Sequence, residues 1–306
     1  MNEQIISYAK KIGIDMIGFS NSKRDDDLIR RHKLKFDLHY DVPFNNDYKG
    51  IDNLAKILPS VTTIITVALP YYKTCSKLEN LSDDEVYFSS SSWGEDYHTV
   101  LNDKLDELIN FLKGFYPDLE FEKCVDVKPV DDRYLAHKAG IGFFGKNGLI
   151  INPKHGSYIF IGSLLTNLDL EPSKIIDSNC GNCTLCMDNC PGKAIKKDGI
   201  NSRLCLSYLT QKKELNGMEK ERLNQCIYGC DRCMQVCPYN KGKKDGYYKF
   251  KPTGIEFINV LEYQDLSNRE FKEKYGHLSG SWRGKRIIER NIKNYKEKID
   301  NKRSMC

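Results

Sequence analysis

Cys180-Gly-Asn-Cys183-Thr-Leu-Cys186-Met-Asp-Asn-Cys190-Pro191 is a complete C-x2-C-x2-C-x3-C-P run, and its spacing decides what the surrounding chain has to build. In modules that carry two 4Fe-4S clusters, the first three thiolates of such a run hold one cluster and the fourth ligates the other. The reason is geometric. Three thiolates two residues apart wrap one corner of a cube, and the fourth iron is left for a remote cysteine. The pattern is among the most specific short signals a sequence carries; a zinc site or accidental spacing is the alternative.

The second half is Cys230-Asp-Arg-Cys233-Met-Gln-Val-Cys237-Pro238, the same run without its first cysteine, because position 227 is Ile. Cys205 and Cys226 are both available as the replacement. Cys226 stands four residues before Cys230 rather than three, which does not fit the tripod. Cys180, Cys183, Cys186 and Cys237 are therefore assigned to one cluster, and Cys190, Cys205, Cys230 and Cys233 to the other. The interleaving puts the two cubes within electron-transfer reach. Cys75, Cys124, Cys226 and Cys306 read as ordinary thiols.

Working outward, nine of the 12 cysteines in the 306 residues lie between Cys180 and Cys237. In a cytosolic protein such density is metal-binding or catalytic more often than disulfide-forming. Hydrophobic residues make up 40%, charged residues 29%, and the mean hydropathy is −0.55, as in a soluble globular protein. No apolar run approaches the length of a spanning helix. The opening MNEQIISYAKKIGIDMIGFS has neither a secretory pattern nor a twin arginine, so a cytoplasmic protein without a membrane partner is expected. The net charge of +5 hides an asymmetry: residues 193–303 hold 26 Lys+Arg against 14 Asp+Glu, and the first 192 residues hold 21 against 28. A polyanionic partner met by the C-terminal half, or simply a solvated basic surface, accounts for it, and charge alone leaves both open.

Ile5, Ile6, Ala9, Ile12 and Met16 predict an opening helix, and residues 22–56 a loop with short helix. The β-branched run SVTTIITVAL (60–69), ending at Pro70, predicts a buried strand. Val100, Leu101, Leu105, Leu108, Ile109 and Leu112 lie at amphipathic-helix spacing. Further strands are expected at 121–127, 149–151 and 158–165, and a short helix at 133–139 ended by Gly140 and Gly142. Helices mixed with strands, without a regular βαβ period, predict an α+β layered domain. Composition changes near Ser173, where the cysteine-rich module starts.

Several stretches resemble the epoxyqueuosine reductases. They are SWGEDYH (92–98), the segment Val125–Arg133, AGIGFFGKNGLI (139–150), GSYIFIGSLLTNLDLEP (156–172), CGNCTLCMDNCP (180–191), CLSYLT (205–210), YGCDRCMQVCPYNKG (228–242) and FKEKYGHLSGSWRGKRIIERN (271–291). Together they cover most of residues 60–291 in order. The resemblance implies a cobalamin-binding α/β layered domain followed by a ferredoxin-like domain with two 4Fe-4S clusters. Three parts follow: residues 1–172 for cobalamin and catalysis, 173–250 for the clusters, and 251–306 as a basic helical segment meeting tRNA. The implied activity is the last step of queuosine synthesis, reduction of epoxyqueuosine in the tRNA anticodon loop. A small electron donor, a ferredoxin, flavodoxin or similar, and a monomeric state are expected. The corrinoid rests on the resemblance alone.

Carried over position by position, Asp126 matches the family's general acid; removing the epoxide oxygen as water takes two electrons and two protons. Partial burial is expected to raise its pKa. Read without the family, an aspartate after a short strand is a solvated loop acid. Asp96 is expected to cap a helix or support the site from behind. Corrinoid contacts fall on Ser89, Asp126, Ile150, Ile161, Ser207 and Asp231, some through backbone atoms, with Lys146 and Arg133 as neighbours or helix caps. Lys213, Arg283, Lys285 and Arg286 are the tRNA candidates, with Lys212, Arg290 and Lys293 nearby; Tyr247, Tyr248, Phe250 and Trp282 are the stacking candidates.

The chain departs from the family pattern in places. Asp126-Val127-Lys128 stands where the family has Asp-Thr-Gly, GIDNLAKILP (50–59) lacks the family's arginine, Ser89 replaces a cysteine, and the helical-repeat tail is missing. A corrinoid reductase of another substrate and a ferredoxin-like electron carrier are the rival readings.

Overall fold

The computed structural model describes residues 1–41, 53–71, 76–242, 250–261, 263 and 266–304. Its helices of at least four residues are α1 (Asn2–Lys11), α2 (Asp26–Asp37), α3 (Tyr97–Lys113), α4 (Asp132–Lys138), α5 (Leu185–Asp188), α6 (Leu206–Leu209), α7 (Gly217–Arg222), α8 (Arg232–Gln235), α9 (Asn268–Tyr275) and α10 (Lys285–Ser304). The strands are β1 (Met16–Asn21), β2 (Thr63–Pro70), β3 (Glu85–Phe88), β4 (Phe121–Cys124), β5 (Phe143–Phe144), β6 (Ile150–Ile151), β7 (Ile159–Thr166), β8 (Cys226–Tyr228) and β9 (Phe257–Asn259).

The run at 60–69 becomes β2, and all eight of its residues are buried. It lies inside an antiparallel sheet of order β1-β2-β7-β4. Side chains alternate between the faces of a strand, so Ile65, Val67 and Leu69 meet Ile5 and Ala9 of α1 and Leu101, Leu105 and Leu108 of α3. Ala68 meets Ala136 and Ala139 on the opposite face, where α4 packs. Helices thus cover both faces, which is why this strand reads as a continuous apolar run. Each aliphatic side chain buried here contributes roughly 1.5–3 kcal/mol. The expected amphipathic helix through 100–112 is α3, which starts at its cap Asp96, whose carboxylate accepts the His98 backbone N–H at 2.9 Å.

A second sheet, β8-β3-β9, draws one strand from each of the three stretches of sequence. Phe271, Tyr275, Ile288 and Ile292 of α9 and α10 close over it beside the buried Trp93.

Two expectations are corrected. The stretch 22–56 contains a 12-residue helix, α2, capped by Asp25. It buries only Leu28 and holds itself with exposed pairs such as Lys33–Asp37 at 2.6 Å, so apolar periodicity does not announce it. The strand at 121–127 stops at Cys124, because Asp126 turns into the left-handed region at φ 55°. Helix α4 does end at glycine: Gly140 has φ +67°, and a Cβ there would lie 2.3 Å from the Lys174 carbonyl oxygen. No helix among the described residues is long and apolar enough to cross a membrane.

Candidate active site

The two cysteine loops each contain a single helical turn, α5 with Cys186 and α8 with Cys233, and these turns pack together. Arg232 donates to Asn189 Oδ1 across the join at 3.2 Å. The ten cysteines that are described are all free thiols. Cys186 has Cys180, Cys183 and Cys237 as its charged neighbours. Cys233 has Cys230, Cys205, Asp231 and Cys190. The structure thus brings together the cysteines that the spacing groups, with Cys205 beside Cys230 and Cys233. Cys226, with Cys230 as a neighbour, donates its thiol hydrogen to the Tyr228 carbonyl at 3.3 Å. Cys75 and Cys306 lie outside the described residues.

Burial pushes the Cys230 thiol up to about 12, with Cys205 and Cys190 adding repulsion, and drives Cys233 further in the same direction. Four thiolates confined in this way need positive charge among them. Among the described residues, no three His, Cys, Asp or Glu side chains are grouped to hold a metal ion. A single zinc draws its sulfurs to one point about 2.3 Å away, whereas a cube takes each thiolate on a different iron. Sets made of cysteine alone are a donor type that fits iron-sulfur clusters. The Ala194 N–H donates to Cys190 Sγ at 3.3 Å, a contact of the kind that tunes cluster potentials. Lys146, expected near the corrin or capping a helix, instead donates to the carbonyls of Gly181 and Cys183 at 2.7 and 3.0 Å and pins the first loop. Arg133 donates to the Gly148 carbonyl at 3.2 Å.

From the second quartet a row of rings leads to Asp126. Tyr71 reaches Met234 Sδ with its hydroxyl at 3.9 Å and stacks on Phe160 at 4.1 Å. Phe160 stacks on Tyr97 at 4.4 Å and 7°, and Tyr97 donates its hydroxyl hydrogen to Asp126 Oδ2 at 2.6 Å. Burial pushes the Tyr97 phenol well up, so it remains a donor at neutral pH. Asp96 accepts from the His98 ring at 2.7 Å beside this row, besides capping α3.

Asp126 itself is exposed, not partly buried as expected. Two half-buried acids lie behind it, one of them with a buried carboxylate oxygen. Burial pushes Asp132 up to about 8, with the Asp126 charge adding to the effect. Asp131, one residue earlier, goes the other way. Burial would raise it, but the His32 contact at 3.0 Å and the Arg133 charge hold it at about 2. Val127, on the other side of Asp126, is 73% exposed, and Lys128 pairs with Glu122 at 3.0 Å.

Of the expected corrinoid positions, Ser89 and Asp231 are buried against one junction. The Ser90 N–H donates to Asp231 Oδ2 at 2.7 Å, and burial raises this carboxyl to about 6. Gly229 sits there at φ +77°, where a Cβ would lie 2.1 Å from Ser89 Oγ. Ser207, half-buried in α6, offers its N–H to Cys205 and its carbonyl to Gln211 Nε2 at 2.7 Å. Ile150 is buried and Ile161 half-buried, both in the cluster with Ala68 and Ala139. Ser90 Oγ and Asn147 Nδ2 are buried with no hydrogen-bond partner among the described residues.

On the basic side, Lys285 and Arg286 line a groove of about 520 Å³ between α7, α9 and α10. Arg283 lies elsewhere, over the Trp282 ring at 4.6 Å, with its Nε donating to the Gln211 carbonyl at 2.9 Å. Lys213 is exposed, and its carbonyl accepts from Arg290. Arg290 is a bracket rather than a free cation, since it also binds the Lys212 carbonyl, and Lys212 pairs with Glu219 at 2.7 Å. Trp282 is 60% exposed and donates to the Tyr228 hydroxyl at 3.1 Å. Phe250 is buried, so it offers no stacking surface. Tyr247 and Tyr248 lie outside the described residues.

Asp132, Tyr71 and Tyr228 escaped sequence reasoning. The acidic doublet Asp131-Asp132 was the one available signal, and a doublet does not say which member is buried.

A family described as "Epoxyqueuosine reductase QueG, DUF1730" matches residues 52–127, and "4Fe-4S double cluster binding domain" matches 179–240. The epoxyqueuosine reductase of Bacillus subtilis (strain 168) is 39% identical over 95% of this chain and 77% of its own length. A crystal structure of selenomethionine-labeled epoxyqueuosine reductase superposes with a TM-score of 0.91 at 38% identity, over 96% of this chain and 80% of the other. An epoxyqueuosine reductase solved with an epoxyqueuosine-modified tRNA-Tyr stem loop gives 0.90 at 38% identity over the same shares.

Proposed function

The chain belongs to the epoxyqueuosine reductase family, and from that membership we propose how its residues divide the work. It is an oxidoreductase that reduces epoxyqueuosine in tRNA, with 4Fe-4S clusters in the double-cluster domain. Removing the epoxide oxygen leaves an alkene and water, and consumes two electrons and two protons. The observation that carries the reading is the unbroken row Met234–Tyr71–Phe160–Tyr97–Asp126, which ties the second cysteine quartet to an exposed carboxyl.

Residues 1–172 form the cobalamin-binding α/β layered part, 173–250 the ferredoxin-like part, and 251–306 the tRNA-facing part. The cobalamin, when bound, supplies a strongly reducing cobalt. Ser89, Ser207 and Asp231 beside the second quartet, Asp126 across from them, and the apolar pair Ile150 and Ile161 would hold it. The unpartnered Ser90 Oγ and Asn147 Nδ2, next to Ser89 and near Ile150, suit the amide groups of a corrin rim. Asp126 delivers a proton to the departing oxygen while Tyr97 orients its carboxyl.

Trp282, under the Arg283 guanidinium, serves as a stacking platform for an anticodon-loop base, and Lys213, Arg283, Lys285 and Arg286 meet phosphates. Arg286→Ala should weaken tRNA binding with no preference among sequences and reduce the salt slope by about 1. The enzyme acts as a cytoplasmic monomer fed by a ferredoxin, flavodoxin or similar carrier.

The test is anaerobic turnover of epoxyqueuosine-containing tRNA with reconstituted clusters, cobalamin and a chemical reductant, read by mass spectrometry of the released nucleosides. Cobalamin-dependent loss of one oxygen is expected. No conversion despite both clusters and bound corrinoid would point instead to a reductase of another substrate, with the departures at Ser89 and Val127-Lys128 as its first suspects.

A further inference from the structure

We propose that Asp126 and Asp132 act as a carboxyl pair, in which Asp132 is the proton-holding positioning residue that restores the proton of the exposed acid after each turnover. This rests on the reading above, in which Asp126 protonates the epoxide oxygen.

The geometry comes from the left-handed turn at Asp126. That turn brings its backbone N–H to face the carboxyl of Asp132 at the start of α4. Oδ1 of Asp132 is buried and accepts no hydrogen bond from any described residue. A buried carboxylate oxygen left without a donor is costly, and more so when the group is charged. A proton removes that cost. The charged and titratable groups facing Asp132 are Asp126 from the turn, Asp131 and Arg133 from its own helix, and Cys124 from β4. Arg133 is the single cation among them, and it also serves Asp131.

The two neighbours in sequence therefore hold opposite states. Asp131 is ionised against His32, whereas Asp132 keeps its proton at neutral pH, with its carboxyl pushed up to about 8 by burial. Environments that drive neighbouring carboxyls apart are how one site separates its acid and base roles. Asp126 is the member that reaches solvent and is oriented by Tyr97. Asp132 is the member that can store a proton.

The protons balance as follows. The O–H bond of Asp126 breaks as one forms on the departing epoxide oxygen, and the second proton of the water formed comes from solvent. The Asp132 proton then passes to the Asp126 carboxylate, and bulk water reprotonates Asp132. No electron moves between the carboxyls.

The experiment follows single-turnover reduction of the epoxide by reduced holoenzyme across neutral and mildly basic pH, with infrared difference titration of the substrate-free chain as a second readout. The wild type should lose rate through a basic limb near pH 8. Asp132→Asn should be slower by about 100-fold at neutral pH. Its rate should fall steadily from acid pH with no limb near pH 8, and its cluster absorption should be unchanged. Asp132→Glu should restore the limb. In the infrared, a protonated-carboxyl band present at neutral pH should vanish with a midpoint near 8. The band should be missing in Asp132→Asn and shifted to lower pH in Asp126→Asn, where the opposing charge is gone. A wild-type rate and pH profile in Asp132→Asn, or a band that survives in it, overturns the proposal. If that variant does not fold, the Asp132→Glu profile and the Asp126→Asn spectrum decide, and an unshifted band in the latter overturns the pair. Absence of turnover in the wild type would instead defeat the substrate reading, while the infrared titration would still judge the pair.

Discussion

The first cysteine quartet and the second offer the same donors, yet the chain builds them differently. Three members of the first, Cys180, Cys183 and Cys186, lie in one loop pinned by a single lysine, and Cys237 closes the set. The second takes Cys190 from the end of that loop, Cys205 from just before α6, and Cys230 and Cys233 from the segment after β8. Its Met234 and Cys233 pack into the main core with β2 and α3. Local chain geometry holds the first quartet, and tertiary packing holds the second. Damage to packing should therefore reach the second cluster before the first.

The harshest way to break this comparison is at the contested ligand. Cys205→Ser should abolish turnover and halve the iron per chain, with the loss confined to the second cluster, whereas Cys226→Ser should keep full iron content. The reverse result would hand the ligand role to Cys226. Asp126→Asn comes next: both clusters should remain by iron content and absorption, while turnover falls by about 10²–10⁴-fold. Retained activity would remove Asp126 from the acid role.

Two smaller perturbations sharpen the contrast. Gly229→Ala places a Cβ 2.1 Å from Ser89 Oγ at φ +77°, at a cost of at least about 1–2 kcal/mol for the left-handed residue. The second cluster should then bleach faster in air. Lys146→Ala, which removes bonds each worth about 1 kcal/mol, should speed bleaching of the first cluster alone. Equal bleaching of both clusters in each variant would sink the distinction. The smallest effect is one of stability and pH. The folded-state pKa of Asp132 lies near 8 against an ordinary 3.8. Between those values the native chain holds a proton that the unfolded chain has released, so this group lowers stability as pH rises. Asp132→Asn should thus gain apparent melting temperature over the wild type, and the gain should grow from about pH 5 to about pH 8.

What could be read in advance was whatever rests on neighbours in sequence. The x2 spacings of 180–186 mark a thiolate tripod, the run 60–69 marks a buried strand, and Asp96 marks a helix start; each rests on a local period or cap. The amphipathic face of α3 was legible for the same reason, and α2, which packs little more than Leu28, was not.

The sequence by itself determined that this chain carries a double 4Fe-4S cluster domain, because cube geometry imposes a spacing on the cysteines that it groups into two quartets. It also carried the family likeness that names the substrate. Only the tertiary structure decided which carboxyl is exposed and which is buried. Asp126, Asp131 and Asp132 are chemically alike along the chain. Desolvation, an ion-pair partner and a facing charge depend on what folds against each of them: His32 from α2 against Asp131, and the turned backbone of Asp126 against Asp132. Proton affinity is a property of surroundings, and those surroundings come from residues far apart in the sequence.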